Sequence, residues 1–306
     1  MEINFHGVRG SFPVPGESTN KYGGNTTCVS ITKNVNGKII RLIFDCGTGA
    51  IGLGKEIIGN YFAGKEDLNI KMFFTHLHPD HTQAFPFFAP NYFPECTAHL
   101  LGMKTLKKHI GVVLEQSMLP PTFPIEYKDL KSTRKHYELK DGTKLYIGVD
   151  GQIQKTNVLK DPVFKIEVMQ SYAPSHPQQG CLYYKVTECG HNMIDNKTVV
   201  CAWDLESKVG GDKAVINFAK GADYLIHDTQ YTYDEYSDDQ MIVQGFGHST
   251  YDMAIENAEL AGVKNLICTH FNPTHSDEKL DTISNVLSEK NDLNIQLAYE
   301  GLSIII

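Results

Sequence analysis

Thr75-His76-Leu77-His78-Pro79-Asp80-His81 is the stretch on which the reading of this chain turns. It follows directly on the run from Ile70 to Thr75, which reads as a strand buried on both faces. Four ligand-type groups within six residues cannot converge on one tetrahedral ion without distorting the backbone. They can serve two adjacent ions: His76 and His78, two apart on an extended stretch, point to one, while Asp80 and His81 on the turn that follows reach the other.

Outward from this point, the pattern alternates short strands and helices. Strands are predicted over residues 2–8, 26–33 and 38–45, the last two joined by the hairpin signal Asn36-Gly37, with a loop rich in Gly, Pro and Ser over 10–24. Ile51, Leu53, Ile57 and Ile58 mark a helix. Beyond the motif, a helix is expected near 102–116 and strands near 136–149. The second half predicts strands near 163–172, 181–188 and 197–203, a helix near 208–220, strand 223–227, a helix near 250–261, strand 264–269, a helix near 277–290 and a final strand 294–306. Helices recurring between apolar strands, with polar clusters where strands end, give a layered α/β protein. No linker separates independent domains, so residues 1–306 are expected to form a single domain of two similar halves, about 1–162 and 163–306.

A dinuclear site needs more ligands, again at strand-to-loop junctions. His176 in Pro174-Ser175-His176-Pro177, Asp204 after Val199 to Trp203, and His270 after Leu266-Ile267-Cys268-Thr269 are the candidates. With the motif they make five histidines and two aspartates, enough for three protein ligands per ion if Asp204 bridges. Two aspartates against two divalent ions leave about two positive charges, an environment that attracts an anionic substrate and acidifies bound water. His and Asp donors without thiolate suit zinc first, with manganese or iron also accepted. Asp45 and Asp228, at strand ends, are expected to hold the far nitrogens of ligating histidines, with His227 as a further member of that layer and His275 equally compatible with that layer or with a solvated loop. Gly247-His248-Ser249-Thr250 precedes a helix that Ser249 or Thr250 can cap, with Asp252 completing a capping box after Ser249.

Composition excludes other classes. The 306 residues carry 28 Lys and Arg against 36 Asp and Glu, a net charge of −8, which argues against a non-specific nucleic-acid or anionic-membrane binder, although a local basic patch is compatible with it. Seven cysteines without a Cys-x-x-Cys pair read as buried free thiols in a reducing compartment. No apolar run is long enough to span a bilayer, so no membrane partner and a cytoplasmic location are expected.

The His-x-His-x-Asp-His motif followed by isolated His, Asp and His resembles the metallo-beta-lactamase fold, and more closely its phosphodiesterase branch, which includes tRNA 3′-end processing nucleases and cyclic phosphate phosphodiesterases. Gly7-Val8-Arg9-Gly10-Ser11, Tyr22-Gly23-Gly24-Asn25-Thr26-Thr27-Cys28, Asp45-Cys46-Gly47-Thr48-Gly49 and Gly247-His248-Ser249-Thr250 are similar to that branch. The resemblance implies a four-layer αββα sandwich, with His76, His78 and His176 on one ion, Asp80, His81 and His270 on the other, and Asp204 between them. It also implies that Asp80 and His248 are the catalytic residues, His248 protonating a departing alkoxide or binding a phosphate oxygen. Lys185 stands where the family often has arginine.

Three classes follow: a phosphodiesterase using a metal-bridging hydroxide, a thioester or lactam hydrolase with no special use for His248, and a non-catalytic metal scaffold. The first is preferred. Within it, a tRNA nuclease is expected to carry a basic, glycine-rich arm. Asp204 to His248 instead contains Glu206, Asp212, Asp223, Asp234, Glu235, Asp238 and Asp239 against Lys208, Lys213 and Lys220. The expectation is therefore a small or cyclic nucleotide substrate, with tRNA an unlikely partner and the tRNA-processing endoribonuclease as the alternative. Phe85, Phe87, Phe88, Tyr92 and Phe93 are candidates to wall a base pocket, core burial being equally compatible, and a homodimer is compatible with the sequence.

Overall fold

The computed structural model describes residues 1–104, 108–155, 162–171, 180–189, 196–290 and 293–306. These residues divide into two compact units, each built on one mixed β-sheet.

The first unit comprises Met1–Gly7, Asn25–Leu139 and Glu300–Ile306. Its strands are β1 (Glu2–Gly7), β2 (Cys28–Val35), β3 (Lys38–Phe44), β4 (Asn69–Phe73), β5 (Thr97–Met103), β6 (Thr133–Leu139) and β15 (Ser303–Ile305), in sheet order β15-β1-β2-β3-β4-β5-β6. β1 alternates half-buried and buried residues, as a strand with one face on the core should. β2 and β3 form the predicted hairpin: Asn36 and Gly37 both take positive φ, 52° and 82°, as a two-residue type I′ turn requires. β3 to β6 then run parallel, with α1 (Ala50–Phe62) crossing from β3 to β4 and burying Ala50, Leu53, Gly54 and Ile57. Leu53 and Ile57 pack with Met72, Phe74, Phe85, Phe88 and Leu100 in one core. α2 (Pro79–Thr82) is a single turn after β4, and α3 (Ile110–Ser117) follows β5.

The second unit comprises Val8–Gly24 and Lys140–Tyr299. Its strands are β7 (Lys144–Ile147), β8 (Ile153–Gln154), β9 (Phe164–Ser171), β10 (Cys181–Glu188), β11 (Thr198–Ala202), β12 (Tyr224–Asp228), β13 (Asn265–Thr269) and β14 (Asn294–Leu297), in sheet order β14-β13-β12-β11-β10-β9-β7-β8. β11 to β14 are parallel, the rest antiparallel. Its helices are α4 (Lys213–Ala219), α5 (Tyr233–Ser237), α6 (Tyr251–Ala261) and α7 (Asp277–Lys290). Asp212 caps α4 through the amides of Ala214 and Val215, and α6 stops at Gly262 in the left-handed region.

Two mixed sheets flanked by helices agree with the expected α/β sandwich class. Two elements differ from expectation. The apolar run after Thr97 is the parallel strand β5 and not the start of a helix over 102–116, which begins only at Ile110; a strand buried on both faces lacks the alternation that separates it from a buried helix. The final strand over 294–306 is two strands in different sheets, broken at Gly301 with φ of 87°. Among the described residues, no helix is long and apolar enough to cross a membrane. All seven cysteines are free thiols, all but Cys189 buried, and Cys201 is fully buried in β11.

Candidate metal centre

In both units the polar clusters lie at the C-terminal ends of parallel strands, where a crossover must turn and side chains can converge. Asp45 follows β3, the histidine motif follows β4, Asp204 follows β11, Asp228 ends β12 and His270 follows β13. Asp45, Asp204 and His270 have φ of 61°, 55° and 62°. Non-glycine residues held in that sparsely occupied region cost energy and cluster at functional sites.

In the first unit, the turn after β4 runs through Thr75 and His76 to His78, whose extended backbone precedes α2 with Pro79 at its first position. The His76 ring centroid lies 4.4 Å from that of His78 and 4.3 Å from that of His81. Asp45, fully buried, accepts from the Thr75 amide and hydroxyl, both at 2.8 Å, and from His81 Nδ1 at 2.7 Å. That contact fixes the proton on Nδ1, so His81 Nε2 presents a lone pair 3.1 Å from Asp80 Oδ2. A lone pair and a carboxylate at that separation, both buried, call for a positive species between them.

The second unit repeats the arrangement. His270 Nδ1 lies 3.1 Å from Gln230 Oε1 and 3.4 Å from Asp228 Oδ2, while its Nε2 lies 3.1 Å from Asp204 Oδ2. Asp228 is a hub: it accepts from the amides of Asp204, Ser249 and Gln230 at 3.0, 3.0 and 3.2 Å, and from His248 Nδ1 at 2.9 Å. The His248 ring stacks on His270 with centroids 5.1 Å apart and meets the edge of Tyr231, whose hydroxyl pKa burial and then Asp228 push up to about 12.

Within the second unit, ligand-capable atoms of Asp228, His248 and His270, all buried, fall within 4.8 Å of one another. With His81 beside Asp80 in the first unit and His270 beside Asp204 in the second, the buried imidazole and carboxylate donors are those of a dinuclear metal-binding site of the kind metal-dependent hydrolases use. The donor set fits hard to borderline divalent ions, with far imidazole nitrogens anchored as a ligating histidine requires.

Within the first unit the structure places His76 between His78 and His81 and sets His81 against Asp80; within the second it sets His270 against Asp204. His176 lies outside the described residues. Asp45 takes the supporting position expected of it, whereas Asp228 serves chiefly His248 and leaves Gln230 to hold His270. His227 belongs elsewhere: its Nδ1 donates to the Asp228 carbonyl, its Nε2 accepts from Asn257, and burial lowers its pKa. His275 is a buried partner of Glu235 at 2.8 Å, an interaction that holds the Glu235 carboxyl down at about 2 despite its partial burial. Thr250 alone caps α6, from its side chain to the Met253 amide, because Ser249 Oγ instead accepts from the Ser207 amide and donates to the Leu205 carbonyl. Phe85 and Phe88 are core residues, while Phe87 and Tyr92 are exposed. Sequence reasoning missed Gln230 and Glu206; neither sits in a pattern, although Glu206 follows Asp204 by two.

No protein-family model matches the chain. It covers 99% of its length with the metallo-beta-lactamase fold protein YhfI from Bacillus subtilis, at a TM-score of 0.60 and 17% identity over 98% of that chain. This chain has the metallo-beta-lactamase fold. The same fold relates it to human tRNase Z, short form, with TM-score 0.58, 18% identity and coverage of 100% and 99% of the two chains. In sequence, this metallo-beta-lactamase fold protein is 29% identical to a Ribonuclease Z of Brevibacillus brevis over 73% of this chain and 74% of that protein. It is 24% identical to a Ribonuclease Z of Prochlorococcus marinus over 92% and 97%.

These relatives overturn the expectation that tRNA is an unlikely partner. That expectation rested on finding no basic arm between Asp204 and His248, but this segment folds into α4, β12 and α5. It builds the unit and is no place for an arm, so its acidity says little about substrate size.

Proposed function

We propose that the protein is a two-metal phosphodiester hydrolase acting on RNA, of the kind that trims tRNA precursors at the 3′ end. This replaces the small or cyclic nucleotide as the preferred substrate. The observation that carries the reading is His248 held at 2.9 Å by Asp228 while stacked on His270, which adds a proton-handling group to the metal donors. The Ribonuclease Z relatives, aligned along nearly the whole chain, support RNA as substrate. So does a local charge reversal: residues 104–144 hold nine Lys and Arg against five Asp and Glu in a chain of net charge −8. Part of that segment is β6, the edge strand of its sheet, with Lys135 exposed.

In this reading His76, His78 and His176 would hold one ion, Asp80, His81 and His270 the other, and Asp204 would serve both, with zinc as the first choice. Asp228 is a support and not a ligand, because three amides and an imidazole already occupy its oxygens. When bound, the ions supply an activated water and neutralise charge growing on the phosphoryl oxygens. Asp80 takes part in orienting that water. Asp228 keeps the His248 proton on Nδ1 and stabilises the imidazolium, so Nε2 is the atom that delivers a proton to the departing oxygen. Asp45 and Gln230 keep His81 and His270 in the tautomer that ligation needs.

The test is cleavage of a tRNA precursor with a 3′ trailer, beside hydrolysis of bis(p-nitrophenyl) phosphate. The expected result is endonucleolytic removal of the trailer, with kcat/KM falling as salt rises because phosphate contacts release counterions. Hydrolysis of the small diester without any cleavage of the precursor would refute the RNA reading.

A further inference from the structure

The short loop before His248 is built in an unusual way. Gly245 and Gly247 flank Phe246 with φ of 88° and 92°, conformations that favour glycine at both positions. One carboxylate, Glu206, holds both: Oε1 accepts from the Gly245 amide at 2.7 Å and Oε2 from the Gly247 amide at 2.9 Å. The Tyr236 hydroxyl donates to the same Oε1 at 2.7 Å, fixing the clamp from α5. The Phe246 amide closes a turn on the Val243 carbonyl, and Gln244 Nε2 donates to the Tyr236 carbonyl. Val243 anchors the loop by burial. The product of this network is an aromatic ring turned outward: Phe246 remains 58% exposed on a backbone fixed on both sides.

Exposed aromatics on loose loops need no explanation, but a side chain that costs solvation and is presented by a clamped Gly-Phe-Gly tip does. Its position supplies one. Two residues of chain place the Phe246 Cα no more than about 7 Å from that of His248, which Asp228 fixes in turn. An unstacked base next to a scissile phosphodiester exposes two apolar faces, and an aromatic platform recovers that stacking without regard to sequence. Glu206, with its oxygens taken by amides and a phenol, is spent on the loop and does not point its charge at an approaching phosphate.

We propose that Phe246 is a stacking platform for a nucleobase of the RNA substrate flanking the cleaved bond, with Glu206 as the positioning residue that presents it. The proposal rests on the RNA reading above. It predicts that contact with a base is read in KM, since the ring touches neither the phosphate nor the leaving oxygen.

The experiment compares wild-type protein, Phe246→Ala, Phe246→Leu and Phe246→Trp on a tRNA precursor and on copies carrying one abasic nucleotide at either position flanking the cleaved bond. Phe246→Ala and Phe246→Leu should raise KM on the intact RNA by about 5- to 100-fold with kcat within about twofold, and Phe246→Trp should restore it. On the copy lacking the stacked base, wild-type protein should suffer the same loss and Phe246→Ala should add nothing further. Equal penalties for Phe246→Ala on intact and both abasic RNAs, or no penalty at all, would overturn the platform while leaving the RNA reading intact. Failure of the wild-type protein to cleave any of these RNAs would instead refute the RNA reading, and the platform with it.

Discussion

Asp45→Asn separates metal binding from folding. The carboxylate is fully buried and accepts three hydrogen bonds, from the Thr75 amide, the Thr75 hydroxyl and His81 Nδ1. Asparagine has nearly the same shape and tolerates the φ of 61° at this position, whereas alanine would add about 1 kcal/mol of left-handed strain to the loss. The amide can keep its oxygen toward the Thr75 N–H, which turns its NH₂ toward His81. The imidazole then meets a donor with its Nδ1 and must move its proton to Nε2, the atom that faces Asp80. Flipping the amide restores the His81 contact only by setting an NH₂ against the Thr75 N–H. Neither orientation serves both partners. Losing an orienting partner of this kind lowers metal affinity by about 10- to 100-fold, or roughly 1.4–2.8 kcal/mol, at the subsite His81 serves. Stability of the metal-free protein should fall by a further 1.5–3 kcal/mol or so, the range for charged hydrogen bonds. Zinc competition against a chromophoric chelator reads the first effect, and urea unfolding of the metal-free protein the second. Wild-type affinity at both subsites in a folded Asp45→Asn protein would show that the tautomer argument is wrong.

Two further outcomes are expected. His248→Ala should lose about 10²- to 10⁴-fold in turnover of RNA, whose alkoxide leaves poorly, and much less with p-nitrophenolate; equal losses on both, with metal content unchanged, would remove the proton-donor role. His6, whose pKa burial in the first unit lowers from 6.5 to about 4, should make stability fall as pH drops through that interval. The native state holds the neutral ring while the unfolded chain takes up the proton, so about 2.5 kcal/mol is lost by about pH 4.5. His6→Gln should make the urea midpoint fall less steeply between about pH 7.5 and 4.5, with His99, which burial also lowers to about 4, keeping its own share, and an unchanged slope would contradict the assignment to His6.

What could be read before folding was what the chain writes locally. Asn36-Gly37 carries its own turn chemistry, and His76 to His81 crowd donors into a span so short that only a metal site explains them. The strand-end aspartates Asp45 and Asp228 were legible because an apolar run stops at each. β5 was not, since Thr97–Met103 is buried on both faces and shows no period. Nor was Glu206, whose partners lie 30 to 41 residues along the chain and converge only once α5 and the loop before α6 are in place. The expectation against tRNA failed for a related reason: charge along Asp204 to His248 belongs to residues that build α4, β12 and α5, while the basic stretch over 104–144 lies mostly in the first unit.

The pairing of β15 with β1 bears on how the protein is made. Ile305 sits opposite Glu2, and the Ile306 amide donates to the Met1 carbonyl, so the first sheet is closed by the last residues of the chain. Between Leu139 and Glu300 a ribosome must produce the bulk of the second unit, which at 5–20 residues per second takes roughly 10–30 s. Throughout that interval one side of β1 has no strand beside it, an open edge able to pair with another nascent copy. Chaperone capture should therefore be strongest on chains arrested between these two points, and removing the final strand should convert a folded enzyme into an aggregating one without touching a single residue of its centre.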